Sequence, residues 1–308
     1  MTTFRSILVP LDGSSLSQKS LPYVQALRQE GTQVTLLQVV PKRWADEPLV
    51  EENEFGWAEG VEVEYASKAR AILERLGQEW KHQGILQTEA EVVVIIGDPA
   101  ETILDDVYGL DPDLIVMTTR GEGALKRALF GSVTDRVVHN SQVPVLVILP
   151  EEDVALGKPA AIHRIVVPMD GSLRAETALP LAKDLAQQLS IPIVLVRAVP
   201  LSYVVDLMGA IPQETFDGMI RYAYDYLSAI RDHLVPAGIE VSIIVKLGFP
   251  FDVIDLVAEP EDLIVLTSHG RTGFTRWLLG SVAEKVIHAG ASPVLLVPVK
   301  HMAKDDHQ

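Results

Sequence analysis

The chain repeats itself, and that repetition constrains its fold more than any other feature. Ile7-Leu8-Val9-Pro10-Leu11-Asp12-Gly13-Ser14 returns as Ile165-Val166-Val167-Pro168-Met169-Asp170-Gly171-Ser172. The correspondence runs on in order. Leu21-Pro22 answers to Leu179-Pro180, Val34–Pro41 to Ile193–Pro200, and Ile96-Gly97 to Leu247-Gly248. Asp113–Val116 answers to Asp262–Val265, Gly131-Ser132-Val133 to Gly280-Ser281-Val282, and Val143–Val147 to Ser292–Leu296. A period this long is a domain duplication, not a solenoid. The first copy is longer, chiefly in the acidic segment 46–59.

Within each copy, short β-branched runs alternate with helix-like stretches, which argues for βαβ units and parallel sheets. The longest helical stretches are Val61–Lys81 and Gln213–Leu234, and a proline at 22 or 180 marks a helix start or kink. The expected architecture is α/β: two repeated domains, each an open, mostly parallel five-stranded sheet flanked by helices. The expected boundaries are 1–150 and 163–300, with a linker at 151–162 and a polar tail at 301–308. Each copy ends in a short β-rich run. An unpaired edge strand is a liability, so pairing of the two terminal runs about a pseudo-twofold axis is expected.

Each copy also holds an apolar run that breaks into a glycine loop and then a helix. In the second, Leu263–Leu266 leads to Thr267-Ser268-His269-Gly270-Arg271-Thr272-Gly273, and the loop closes at Gly280-Ser281. In the first, Leu114–Met117 leads to Thr118-Thr119-Arg120-Gly121, with nine residues before Gly131-Ser132. A helix N-terminus presents unpaired N–H groups and partial positive charge, and glycines admit a phosphate close to the backbone. Strand, glycine loop and helix start together form an anion-binding device.

The whole pattern resembles the universal stress protein family in its tandem form. It is carried by the two Asp-Gly-Ser turns and the two loops, and it covers nearly the whole chain except the linker and tail. The nucleotide-binding branch of that family has Gly, two residues, Gly, nine residues, Gly, then Ser or Thr. Both copies keep the later part, and Thr118 and Thr267 stand where the first glycine belongs. The resemblance implies an open α/β sheet of the Rossmann-like, adenine nucleotide alpha hydrolase-like kind, with ATP at the carboxyl ends of the strands. It places Asp12 and Asp170 against adenosine, and Val39 and Ala198 against adenine. Gly121, Gly131 and Ser132 would hold phosphates in the first copy, and Gly270, Gly280 and Ser281 in the second.

Each residue also has a plainer reading. Ser132 and Ser281 stand three residues before Asp135 and Glu284, the spacing of a capping box. Asp12 and Asp170 also read as helix caps or turn residues that meet no ligand. Thr at 118 and 267 either narrows the pocket or simply ends a strand. The copies differ in charge: Glu122 follows Gly121, whereas Arg271 follows Gly270 and Gly273 comes soon after. A carboxylate repels a triphosphate and a guanidinium attracts it. The second site is therefore expected to bind better.

The net charge of −16 argues against nucleic acid and anionic membranes as partners. No cysteine is present, so disulfides and thiolate metal sites are excluded. The eight histidines have no metal-ligand spacing. No apolar run reaches membrane-spanning length and no signal peptide is legible, which points to a cytoplasmic protein. No catalytic motif or general base stands out. The expected function is a stress-response regulator that binds ATP, with or without Mg²⁺, and hydrolyses it slowly or not at all. The alternatives are a ligand-free interaction module and a slow ATPase. Protein partners are unknown, and an intramolecular pseudo-dimer is expected, with homodimerisation open.

Overall fold

The computed structural model describes residues 3–41, 61–84, 86, 89–105, 109–119, 131–149, 158–200, 213–268 and 279–299. Its strands, in chain order, are β1 (Ser6–Pro10), β2 (Gln33–Pro41), β3 (Glu91–Gly97), β4 (Leu114–Thr118), β5 (Val145–Ile148), β6 (Arg164–Pro168), β7 (Ile193–Val199), β8 (Val241–Leu247), β9 (Asp262–Thr267) and β10 (Val294–Val297). The α-helices are α1 (Leu21–Leu27), α2 (Val61–His82), α3 (Pro99–Leu104), α4 (Ser132–Asn140), α5 (Leu173–Glu176), α6 (Leu179–Leu189), α7 (Gln213–Leu234), α8 (Pro250–Val257) and α9 (Ser281–Ala289). Strands and helices alternate as the sequence pattern predicts. Pro22 and Pro180 sit in the first turns of α1 and α6, where a missing N–H costs nothing. Among the described residues, no helix is long and apolar enough to cross a membrane.

The chain divides into two compact units, Thr2–Val137 with Pro150–Ala160, and Val138–Leu149 with Ala161–Gln308. The first has the strand order β3-β2-β1-β4 with parallel pairing throughout. The second has the order β5-β10-β9-β6-β7-β8. All its pairs are parallel except β5 with β10, which run antiparallel with Leu146 opposite Leu295. The two terminal runs thus do pair, and β5 belongs to the second unit. Fully buried Val, Ile and Leu side chains on β1 and β4, and on β6, β9 and β10, form the two cores. Such continuous apolar runs are what strands covered on both faces require.

The order matters for the site. In the second unit β6 lies between β7 and β9, so successive crossovers leave it on opposite sides. A crevice opens at the carboxyl ends of the strands where the order reverses, which is where open α/β sheets bind ligands. In the first unit β1 holds the same position between β2 and β4.

Buried polar contacts fix the register at the opposite end of β6. Arg164 Nε and Nη2 donate to the two carboxylate oxygens of Asp262 at 2.9 and 2.6 Å. Asp262 is 1% exposed, and it also accepts from Glu259 N at 2.9 Å. In the first unit Asp113 takes the equivalent role with backbone donors, accepting from Arg5 N and Ser6 N.

Candidate nucleotide site

Construction begins at the Asp-Gly-Ser turn that ends β6. Asp170 Oδ1 accepts from Ser172 N at 2.9 Å and from Ser172 Oγ at 2.6 Å. Ser172 Oγ in turn accepts from Ala175 N at 3.2 Å and caps α5. Gly171 holds φ at +85°, a conformation that costs any other residue strain. The first copy is built identically: Asp12 Oδ1 takes Ser14 N and Oγ, Ser14 Oγ accepts from Ser17 N, and Gly13 lies at +86°. The plainer reading of the aspartates as turn residues is therefore realised for one carboxylate oxygen of each. Their exposure differs. Asp12 is exposed, whereas Asp170 is half-buried in a cavity wall.

That cavity measures about 760 Å³ and lies wholly within the second unit. Asp170 and Met169 approach it from β6, Ala198 and Val199 from β7, Leu266 and Thr267 from β9. Gly280, Ser281 and Val282 bring the start of α9, and Met219 and Tyr222 bring a wall of α7. Its size falls in the range of small-molecule sites. Of the residues expected in the second site, the structure brings Asp170, Ala198, Thr267, Gly280 and Ser281 together around this one space. Gly270, Arg271 and Gly273 lie outside the described residues, as does Gly121 in the first copy.

The loop closes the same way in both copies. Gly280 N donates to Ser268 O at 2.7 Å, and Gly131 N donates to Thr119 O at 2.6 Å. At Gly131 a Cβ would come within 3.0 Å of Thr119 O, so this crossing is tight. Thr267 and Thr118 are the last residues of β9 and β4, buried and in strand conformation. Neither has a positive φ. They end their strands, so the missing family glycine imposes no backbone strain. In the first copy Thr118 O also accepts from Thr134 Oγ1 at 2.9 Å.

The capping-box alternative does not hold at Ser281. Gly280 is the N-cap of α9, no side chain caps it, and Ser281 is the first helical residue. The first N–H groups of α9 therefore have no side-chain cap, and Ser281 stands at the cavity wall. In the first copy Ser132 likewise begins α4, Gly131 precedes it, and Val39 pairs with Ile95 near the end of β2.

One residue of the wall was not singled out from the sequence. Arg197 on β7 is 8% exposed and lines the cavity. Its guanidinium carbon lies 4.8 Å from the centre of the Tyr226 ring and 5.7 Å from that of Tyr222. It also lies over the turn: a Cβ on Gly171 would stand 2.8 Å from Arg197 Nη2. Tyr226 donates to Glu176 at 2.9 Å. Burial, and then that bond, raise its pKa, so its phenol stays protonated. The available signal was a cation inside an otherwise apolar strand, Ile193-Val194-Leu195-Val196-Arg197-Ala198-Val199.

The family profile described as "Universal stress protein family" matches residues 3–148 and again 161–298. The chain belongs to the universal stress protein family. A universal stress protein of Mycobacterium tuberculosis is 27% identical over 314 residues, covering 95% of each chain. One of Mycobacterium bovis is 29% identical over 208 residues, covering 66% of this chain and 67% of its own. The crystal structure of a universal stress protein from Archaeoglobus fulgidus superposes with a TM-score of 0.68 at 23% identity, covering 96% of this chain and 99% of its own. That likeness establishes the fold. The two segments matched by the profile make this a tandem universal stress protein.

Proposed function

We propose that this tandem universal stress protein binds ATP in the cavity of its second repeat and acts as a nucleotide-dependent regulator, not as a fast enzyme. The observation that carries the proposal is the convergence of Asp170, Ala198, Thr267, Gly280 and Ser281 on one cavity at the strand-order reversal. The N-terminus of α9 supplies N–H groups and a positive dipole end for phosphates. The apolar walls from Met169, Val196, Val199 and Ile254 suit a flat base. Gly270, Arg271 and Gly273 complete the proposed phosphate loop, with Mg²⁺ an optional companion of the triphosphate.

The regulatory assignment rests on the wall's chemistry. Among the described lining residues, Asp170 is the carboxylate, and it stands at the β6 end, held by Ser172. Around Thr267, Gly280 and Ser281 no described lining side chain can serve as a general base. A weaker site of the same plan is proposed in the first repeat, at Asp12, Val39, Thr118, Gly121, Gly131 and Ser132. We assign the protein to the cytoplasm.

The test is to purify the protein and identify any bound nucleotide by mass spectrometry, then to follow thermal unfolding against added ATP. Saturable stabilisation that grows with ligand concentration supports binding. An unchanged melting temperature at millimolar ATP overturns it and favours the ligand-free interaction module.

A further inference from the structure

The cavity of the second repeat holds a buried cation with a donor left unpaired among the described residues. Arg197 is 8% exposed, and its Nη1 has no hydrogen-bond acceptor among the described residues. Its neighbours are the faces of Tyr226 and Tyr222 and the backbone of Gly171. Aromatic faces attract a guanidinium but accept none of its N–H groups in the plane. A buried charged donor without an acceptor is costly, and such groups ordinarily have partners. Since Arg197 lines the cavity, a cavity ligand is the natural partner.

Where Arg197 stands identifies which part of the ligand it meets. The helix N-terminus at Gly280 and Ser281 follows β9, whereas Arg197 lies on β7, with β6 between the two strands. Two strand spacings separate the β7 and β9 backbones by about 10 Å. A nucleotide spans that distance, and Ala198, the residue expected against adenine, follows Arg197 on β7 and lines the same cavity. With phosphates on α9, Arg197 faces the base end.

We propose that Arg197 is a specificity-determining residue of the second site, donating a hydrogen bond to an acceptor on the base of a bound purine nucleotide. The inference rests on the nucleotide reading above. It also gives the two repeats different chemistry. Gln38 occupies the equivalent place on β2, and its Oε1 likewise has no partner among the described residues. The first repeat thus offers a neutral amide where the second offers a charged donor. Flat bases are read in this way, by side-chain hydrogen bonds to their edges and by stacking.

The experiment compares ATP with ribose 5-triphosphate, which keeps the phosphates and lacks the base. Both are titrated into the full-length wild type, Arg197→Met and Arg197→Gln. Arg197→Met is expected to weaken ATP about tenfold or more, the scale of a lost charged hydrogen bond. Ribose 5-triphosphate is expected to bind wild type and variant alike, and the ligand-free variants to melt close to the wild type. Equal weakening of both ligands overturns the assignment, because it marks a role in phosphate attraction or folding. Unchanged ATP affinity overturns it and leaves nucleotide binding intact. Failure of the wild type to bind either ligand overturns both readings.

Discussion

Gly171 and Gly13 hold the same backbone conformation and differ in what surrounds them. Both need a positive φ, which costs an alanine about 1–2 kcal/mol. At Gly13 a Cβ would meet, among the described residues, only Gln38 Nε2, at an ordinary 3.4 Å. At Gly171 it would stand 2.8 Å from Arg197 Nη2 and 3.1 Å from Cζ, so the guanidinium must move. Gly171→Ala is therefore expected to destabilise more than Gly13→Ala, and to weaken ligand binding at the second site as well. Urea denaturation of the two variants checks the first expectation, and equal losses would contradict it. Arg197 illustrates what the sequence conceals at this scale. Its place in the strand was visible, but its role depends on Tyr222 and Tyr226, which arrive from α7. The aspartates of the Asp-Gly-Ser turns show the opposite case. Their turn bonds are local, spanning two residues, so a turn role was legible beside the ligand role.

β6 and β9 are joined by the Arg164–Asp262 pair, whose carboxylate is almost wholly enclosed. Asp262→Ala leaves the guanidinium of Arg164 and Glu259 N without that acceptor. The expected loss is about 3 kcal/mol, the low end for breaking a buried pair, since Arg164 keeps some contact with water. Asp98 caps α3 by accepting from Glu101 N at 2.9 Å, and Arg136 Nη1 donates to both its oxygens at 2.9 Å. Asp98→Ala is expected to cost about 1 kcal/mol, the usual worth of a cap. The Asp98 carboxyl is held below its ordinary value, chiefly by the Glu101 backbone N–H, with Arg136 adding to it. Its folded pKa is thus below its unfolded one, so the stability it adds is present above about pH 4 and is lost as pH falls through the folded pKa. Wild type and Asp98→Ala should converge in stability in acid, and a gap that persists at low pH would contradict this. The strands and the long helices α2 and α7 were legible because apolar runs and their spacing are local signals. The partner of β5 was legible only as an expectation, because it comes from the far end of the chain.

For the whole molecule, duplication has produced two copies of one scaffold whose proposed sites differ in their surroundings. The repeat order, the βαβ alternation and the family were readable because each leaves its mark many times along the chain. The inequality was anticipated from Glu122 and Arg271, which lie outside the described residues. The described residues differ elsewhere between the copies: Asp170 is half-buried and Asp12 exposed, and Arg197 stands where the first copy has Gln38. The cavity itself was not readable, since its walls come from β6, β7, β9, α7 and α9 and meet only on folding. The proposed site requires the start of α9 to hold the nucleotide's phosphates. Isothermal titration of ATP with Mg²⁺ into the wild type and Gly280→Val tests it most directly. Gly280 has φ −62° and ψ 138°, which valine adopts readily, but at the equivalent Gly131 a Cβ would stand only 3.0 Å from Thr119 O, so the valine side chain crowds the loop closure as well as the phosphate approach. Saturable heat is expected from the wild type, and loss of the second-repeat binding event from Gly280→Val at a temperature where its circular dichroism matches that of the folded wild type. No heat from the wild type at millimolar ATP, or an identical isotherm from the variant, would contradict it.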